Sequence, residues 1–99
     1  MKIYISGSAF DDLERIKGYY KEEGVPHIGD EFVASIFEHI QTLHDNPDIG
    51  RMVPEFGEKK IRELIHSPFR IVYLRERSTI HVVRVWRSER LLILPESET

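Results

Sequence analysis

The apolar positions of this chain change period along its length. KIYIS (2–6) is a short β-branched and aromatic run, which predicts a first strand. From Ala9 the spacing becomes helical. Ala9, Leu13, Ile16 and Tyr20 form one stripe, predicting an amphipathic helix over 9–23 that ends at Gly24. Ser8, with Asp11 three residues on, makes a capping-box pattern, and Asp11 and Asp12 then lie near the positive end of that helix. Pro26 opens the next element. Phe32, Val33, Ile36, Phe37, Ile40 and Leu43 mark a wide apolar stripe on a second helix, about 28–45, stopped by Asn46-Pro47.

Residues 47–58 (PDIGRMVPEFGE) carry two prolines and two glycines and read as a surface loop. Three strand candidates follow at 60–65 (KIRELI), 69–74 (FRIVYL) and 79–86 (TIHVVRVW). Links this short make them neighbours in an antiparallel meander. LLIL (91–94) is either a short edge strand or a final core strand. The expected fold is a single α+β domain over 1–99, order β-α-α-β-β-β. Two amphipathic helices need one apolar wall, so the helical hairpin packs on one face of the antiparallel sheet and leaves the other face bare.

Alternation then places the arginines. The run FRIVYLRERSTIHVVRVWRSER holds six of them in 22 residues, too many to hide in a small core. Phe69, Ile71 and Tyr73 suit the helix layer, so Arg70, Val72 and Leu74 face outward. Val83 and Val85 suit the core, which sets Arg84 and Trp86 beside Arg70 and puts His81 on the face of Val83. In 60–65 the register is open, because Ile61 and Ile65 oppose Arg62 and Leu64. Arg70 and Trp86 are therefore expected to tolerate alanine without unfolding.

Composition narrows the class. There is no cysteine, hence no disulfide framework or thiolate chemistry, and no apolar run approaches the roughly 20 residues of a membrane helix. A reducing cytoplasm is the simplest setting, with no membrane, metal or other cofactor called for. The net charge of −3 conceals an asymmetry: residues 1–50 hold four Lys/Arg against ten acids, and residues 51–99 hold ten against seven. A cationic half suggests a surface that meets an acidic partner.

GRMVPEF, IREL, FRIVY and VVRVWRSER, in this order after the two helices, resemble the RelE/ParE superfamily of bacterial toxins, the toxic halves of type II toxin–antitoxin modules often found in plasmid stabilisation systems. The resemblance runs from KIYIS through Arg90. It implies a helical hairpin on an antiparallel sheet and neutralisation by a cognate antitoxin in a toxin–antitoxin hetero-oligomer. It also implies one of two targets. RelE-like members cut mRNA on the ribosome without a metal; ParE-like members poison DNA gyrase.

Metal-free RNA cleavage needs a base for the 2′-hydroxyl, an acid for the leaving oxygen and cations for the phosphate. Arg70 matches the superfamily's phosphate-stabilising arginine, and Arg84 and Arg87 add to it if the chain is a ribonuclease. The proton-transfer pair is the difficulty. Trp86 stands where many ribonuclease members carry histidine, and indole N–H only donates. Ile61 and Glu63 stand where others carry lysine; Glu63 and Glu76 are bases in principle, but a carboxylate near arginines more often forms a solvated ion pair. His81 reads as a strand residue, His66 as a turn residue, and His27, His39 and His44 belong to the helical hairpin. A chain of net charge −3 also suits a protein target better than ribosomal RNA. The ParE-like reading is preferred, with the RelE-like ribonuclease and a member that only binds antitoxin as alternatives. The expected partner-binding residues are Arg62, Arg70, Val72, Leu74, Arg84, Trp86, Arg87 and Arg90.

Overall fold

The computed structural model describes residues 1–88. Arg90, LLIL (91–94) and the 95–99 tail lie outside the described residues. Strand β1 (Lys2–Ile5) leads into helix α1 (Gly7–Glu22), and α2 (Pro26–Gln41) is followed by one 3₁₀ turn, Thr42–His44. Strands β2 (Arg51–Met52), β3 (Ile61–His66), β4 (Phe69–Arg75) and β5 (Thr79–Arg87) complete the chain. Together they form one five-stranded sheet in the order β1-β5-β4-β3-β2.

The α+β class and the strand–helix–helix–meander order stand. The sheet is mixed rather than wholly antiparallel, because β1 lies parallel to β5, pairing Lys2 with Thr79 and Ile5 with Val82. A strand that must hand over at once to a helix on the sheet's face reaches β5 in that sense. The two-residue β2, inside the expected loop, pairs with Arg62 and Glu63 of β3.

Helix α1 starts two residues earlier than its apolar period suggests. Ser6, not Ser8, is its N-cap: its Oγ accepts from Ala9 N at 3.1 Å, while its own N–H donates to Val82 O at 2.9 Å. One residue thus ends β1 and begins α1, satisfying a free helix donor and a free strand acceptor together. Gly24, at φ +83°, closes α1 in the left-handed region that other residues disfavour. Pro26 then enters the first turn of α2, where its missing N–H costs nothing.

Ala9, Leu13 and Ile16 of α1 and Ile36 and Ile40 of α2 pack on Leu64, Phe69, Ile71, Tyr73, Ile80, Val82 and Val85 of the sheet. Val83 is not among them. The register slips between Val72 and Tyr73, so that Val72 faces Arg84 but Tyr73 faces Val82. Val83 is the extra residue of a bulge, and the inward phase passes from Val85 to Val82 and Ile80. His81 accordingly shares the outer face with Leu74 and stacks on Tyr4, ring centroids 5.2 Å apart.

The outer face is only partly bare. Segment 51–57 crosses it: Arg51 reaches Glu63, Glu55 reaches Arg70, and Val53 and Val72 are both closed to solvent. The loop is pinned from the other side by Tyr73, whose hydroxyl donates to Pro47 O at 2.9 Å and accepts from Gly50 N at 3.0 Å. Gly50 is required there, since a Cβ would stand 2.6 Å from that hydroxyl oxygen.

Candidate partner-binding face

Antiparallel pairing brings Arg70 of β4 opposite Trp86 of β5. Arg84, two residues before Trp86, points to the same side. Both guanidinium carbons stand over the indole, 5.5 Å away for Arg70 and 5.2 Å for Arg84. Cation–π attraction of this kind orients the charges and the ring jointly.

The two arginines nevertheless live in different surroundings. Among the described residues Arg70 is the largest fully buried side chain, with 1% of its surface exposed, so the expectation of an outward, solvated Arg70 is corrected. It lies on the side away from the helices, as alternation requires, but carboxylates cover it. Its Nε is 2.7 Å from Glu63 Oε1, a close ion contact, and Nη1 and Nη2 donate to the two oxygens of Glu55 at 3.1 and 3.4 Å. Glu63 is itself closed to solvent and takes Arg51 Nε on its second oxygen at 2.6 Å. The solvated ion pair expected of Glu63 is a buried one. A guanidinium sequestered this far is stable only because its charge is matched inside the protein.

Arg84 remains reachable. Its Nε and Nη2 donate to Asp12 at 2.8 and 3.0 Å, a two-pronged pair, yet 38% of its side chain is open. The Asp12 carboxylate raises the Arg84 pKa further, partly opposed by desolvation. Asp12 Oδ2 also accepts from Val85 N at 2.8 Å. Strand β1 has ended by this point of β5, so the Asp12 side chain serves the strand edge in its place. Asp12 thus lies beyond the first turn of α1, buried against β5, rather than near the helix's positive end as expected.

A groove of about 950 Å³ opens between α1 and the end of β5, with Tyr19, Tyr20, Phe69, Trp86, Arg84 and Arg87 among its lining. Arg87 stands over the Phe69 ring at 5.6 Å. Asp11, Asp12 and Glu14 line its α1 side, so the aromatic surface suits inserted apolar side chains and only the β5 side, at Arg84 and Arg87, suits acidic ones.

The other expected residues fall elsewhere. Val72 is 2% exposed, because 51–57 covers it, and offers no apolar pocket. Leu74 is half-buried opposite His81. Arg62 pairs with Tyr73 on the helix-side face, and its Nη1 donates to Gly50 O at 2.8 Å and Asp48 O at 3.3 Å, so it braces the loop. Two carboxylates escaped the sequence reading. Asp12 carries a legible signal, three residues after Ala9 and four before Ile16 on the buried stripe. Glu55 carries none, since its contact depends on how the loop folds back.

Among the described residues no helix is long and apolar enough to cross a membrane. No curated protein matches the chain by sequence. The fold is similar to that of a solved structure described as a chromosomal ParDE TA system from P. aeruginosa, with a TM-score of 0.74 over 88% of this chain and 95% of that one. Identity between the two is 22%, so the likeness speaks for the fold alone. A sequence model of the ParE toxin of type II toxin–antitoxin systems (parDE) matches residues 3–92, nearly the whole chain, and the chain therefore belongs to the ParE toxin family.

Proposed function

We propose that this toxin acts by binding and poisoning DNA gyrase, and that a cognate antitoxin neutralises it by covering the Trp86 face. The burial of Arg70 carries the reading. An arginine that stabilises a scissile phosphate must present free N–H groups to it, whereas Arg70 is closed to solvent, its Nη1 and Nη2 donating to Glu55 and its Nε in ion contact with Glu63. Cleaving RNA at this face would first require pulling a guanidinium away from two carboxylates.

Trp86, Arg84, Arg87 and Leu74 are the side chains offered to partners. Arg70 and Val72 support them from beneath. The antitoxin segment suited to this surface is acidic with apolar anchors, the acids meeting Arg84 and Arg87 and the anchors entering the groove beside Trp86. The complex is a hetero-oligomer of toxin and antitoxin. Cytoplasmic action follows from a gyrase target.

A supercoiling assay with purified gyrase tests the proposal. The chain should inhibit supercoiling or trap cleaved DNA, and Trp86→Ala should lose that effect while keeping its urea midpoint. Codon-phased 5′ ends in transcripts after induction, with gyrase unaffected, would replace this reading with the ribonuclease one. Normal growth on induction without antitoxin would point to a member that only binds antitoxin.

A further inference from the structure

Away from the Trp86 face, α2 and β3 are joined through imidazoles. His39 Nδ1 and His66 Nδ1 stand 2.8 Å apart, with ring centroids separated by 5.1 Å. His66 Nε2 is 3.0 Å from Ser35 Oγ, which is 3.0 Å from Phe32 O. Ser35 and His39 are one helical turn apart, so both contacts hold β3 to the same face of α2.

One assignment of protons satisfies all three contacts. The Phe32 carbonyl can only accept, so the Ser35 hydroxyl donates to it. Ser35 Oγ is then the acceptor for His66 Nε2–H. A neutral His66 therefore has a bare Nδ1, which accepts from His39 Nδ1–H. The relay has a direction, and its weak point is the single lone pair on His66 Nδ1.

We infer that this relay is a proton-gated clasp between α2 and the end of β3, closed while His66 Nδ1 is bare and opened when that atom takes a proton. A proton arriving at His39 Nε2 leaves the Nδ1–H···Nδ1 bond intact and makes it charge-assisted. Once His39 carries a proton on both ring nitrogens, a further proton at His66 Nδ1 sets two N–H groups face to face at hydrogen-bond distance, and the rings must part. Burial, and then the charge of His39, push His66 below its ordinary 6.5. The clasp's stabilisation is thus fully present above pH 6.5 and is lost as pH falls through the lowered value.

Besides His39, α2 carries His27, Asp30, Glu31 and Glu38, all exposed. Strand β3 carries Arg62 and Glu63, whose contacts are with the 48–51 loop and Arg70. Strand β4 carries Arg70 and Arg75, Tyr20 lies on α1, and Arg87 of β5 lies beyond the Phe69 ring. Among the described residues none of these carboxylates bonds either imidazole, so none of them holds a second proton on His66.

Imidazole nitrogen NMR of the full chain between pH 8 and 5, with amide exchange followed over the same range, tests the clasp. At pH 8, His66 should be the Nε2–H tautomer and His39 the Nδ1–H tautomer. As His66 titrates below 6.5, exchange at Ile40, Gln41, Leu64 and Ile65 should rise about tenfold, while Ile71 and Val72 stay protected. His39→Phe should move the His66 midpoint upward and abolish the exchange step. Ser35→Ala should keep the step and lose the His66 tautomer preference. Nε2–H tautomers on both rings at pH 8 would overturn the inference. So would His66 titration without a change in exchange, or a chelator-reversible shift of both Nδ1 signals by Zn²⁺, which would make the pair a metal site.

Discussion

Arg70 and Glu63 meet 2.7 Å apart with 1% and 0% of their side chains exposed, on neighbouring strands and on the face that carries no helix. Removing either charge leaves the other buried with only a partly exposed partner, Arg51 for Glu63 and Glu55 for Arg70. Arg70→Ala and Glu63→Ala should each destabilise by about 3–5 kcal/mol in urea denaturation. The paired replacement Arg70→Met with Glu63→Leu should cost much less than the two single losses added together. A strictly additive double variant would show that the two groups do not act as a pair.

Asp12 has two duties, and substitution separates them. Asp12→Asn keeps an oxygen acceptor for Val85 N–H while weakening the Arg84 pair. Asp12→Ala leaves that N–H unsatisfied at the strand edge and should cost about 1–3 kcal/mol more than Asp12→Asn. Equal urea midpoints for the two variants would refute the edge role.

Glu55 is the solvent-side clamp on Arg70. Glu55→Ala should lift 53–57 off Arg70 and loosen that guanidinium from the ring of Trp86, the only tryptophan in the chain. Acrylamide quenching of its fluorescence should rise, with a smaller loss of stability than Glu63→Ala, since the Glu55 side chain is 35% exposed. Unchanged quenching would mean that the loop is held without this contact.

Tyr73 ties the loop to the sheet through a hydroxyl that must stay protonated to donate to Pro47 O. Burial raises its pKa above the ordinary 10.0, opposed in part by the Gly50 N–H bond and the Arg62 charge. The unfolded chain loses this proton first, so the contribution is complete below pH 10 and disappears as pH climbs through the raised value. Wild type should lose stability over that window more steeply than Tyr73→Phe. Gly50→Ala, which presses a methyl into the same hydroxyl, should cost about 1–3 kcal/mol at neutral pH.

Periodicity alone determined the helical hairpin, the three-strand meander and the inward set of Phe69, Ile71 and Tyr73. Each follows from repeats of 3.6 or 2 written into consecutive residues. Turn chemistry at Gly24 and Asn46-Pro47 delimited the helices to within a few positions. The side of the sheet on which Arg70, Arg84 and Trp86 lie was equally legible, because strand alternation is local. What covers that side was not. Segment 51–57 folds over Arg70 by contacts between residues about 15 positions apart, which no local pattern encodes. The bulge at Val83, the parallel seat of β1 and the relay between His39 and His66 belong to the same class. Short-range order dictates which residues can share a surface; whether a charge on that surface meets water or a carboxylate is decided only when distant segments pack, because burial is a property of the assembled chain.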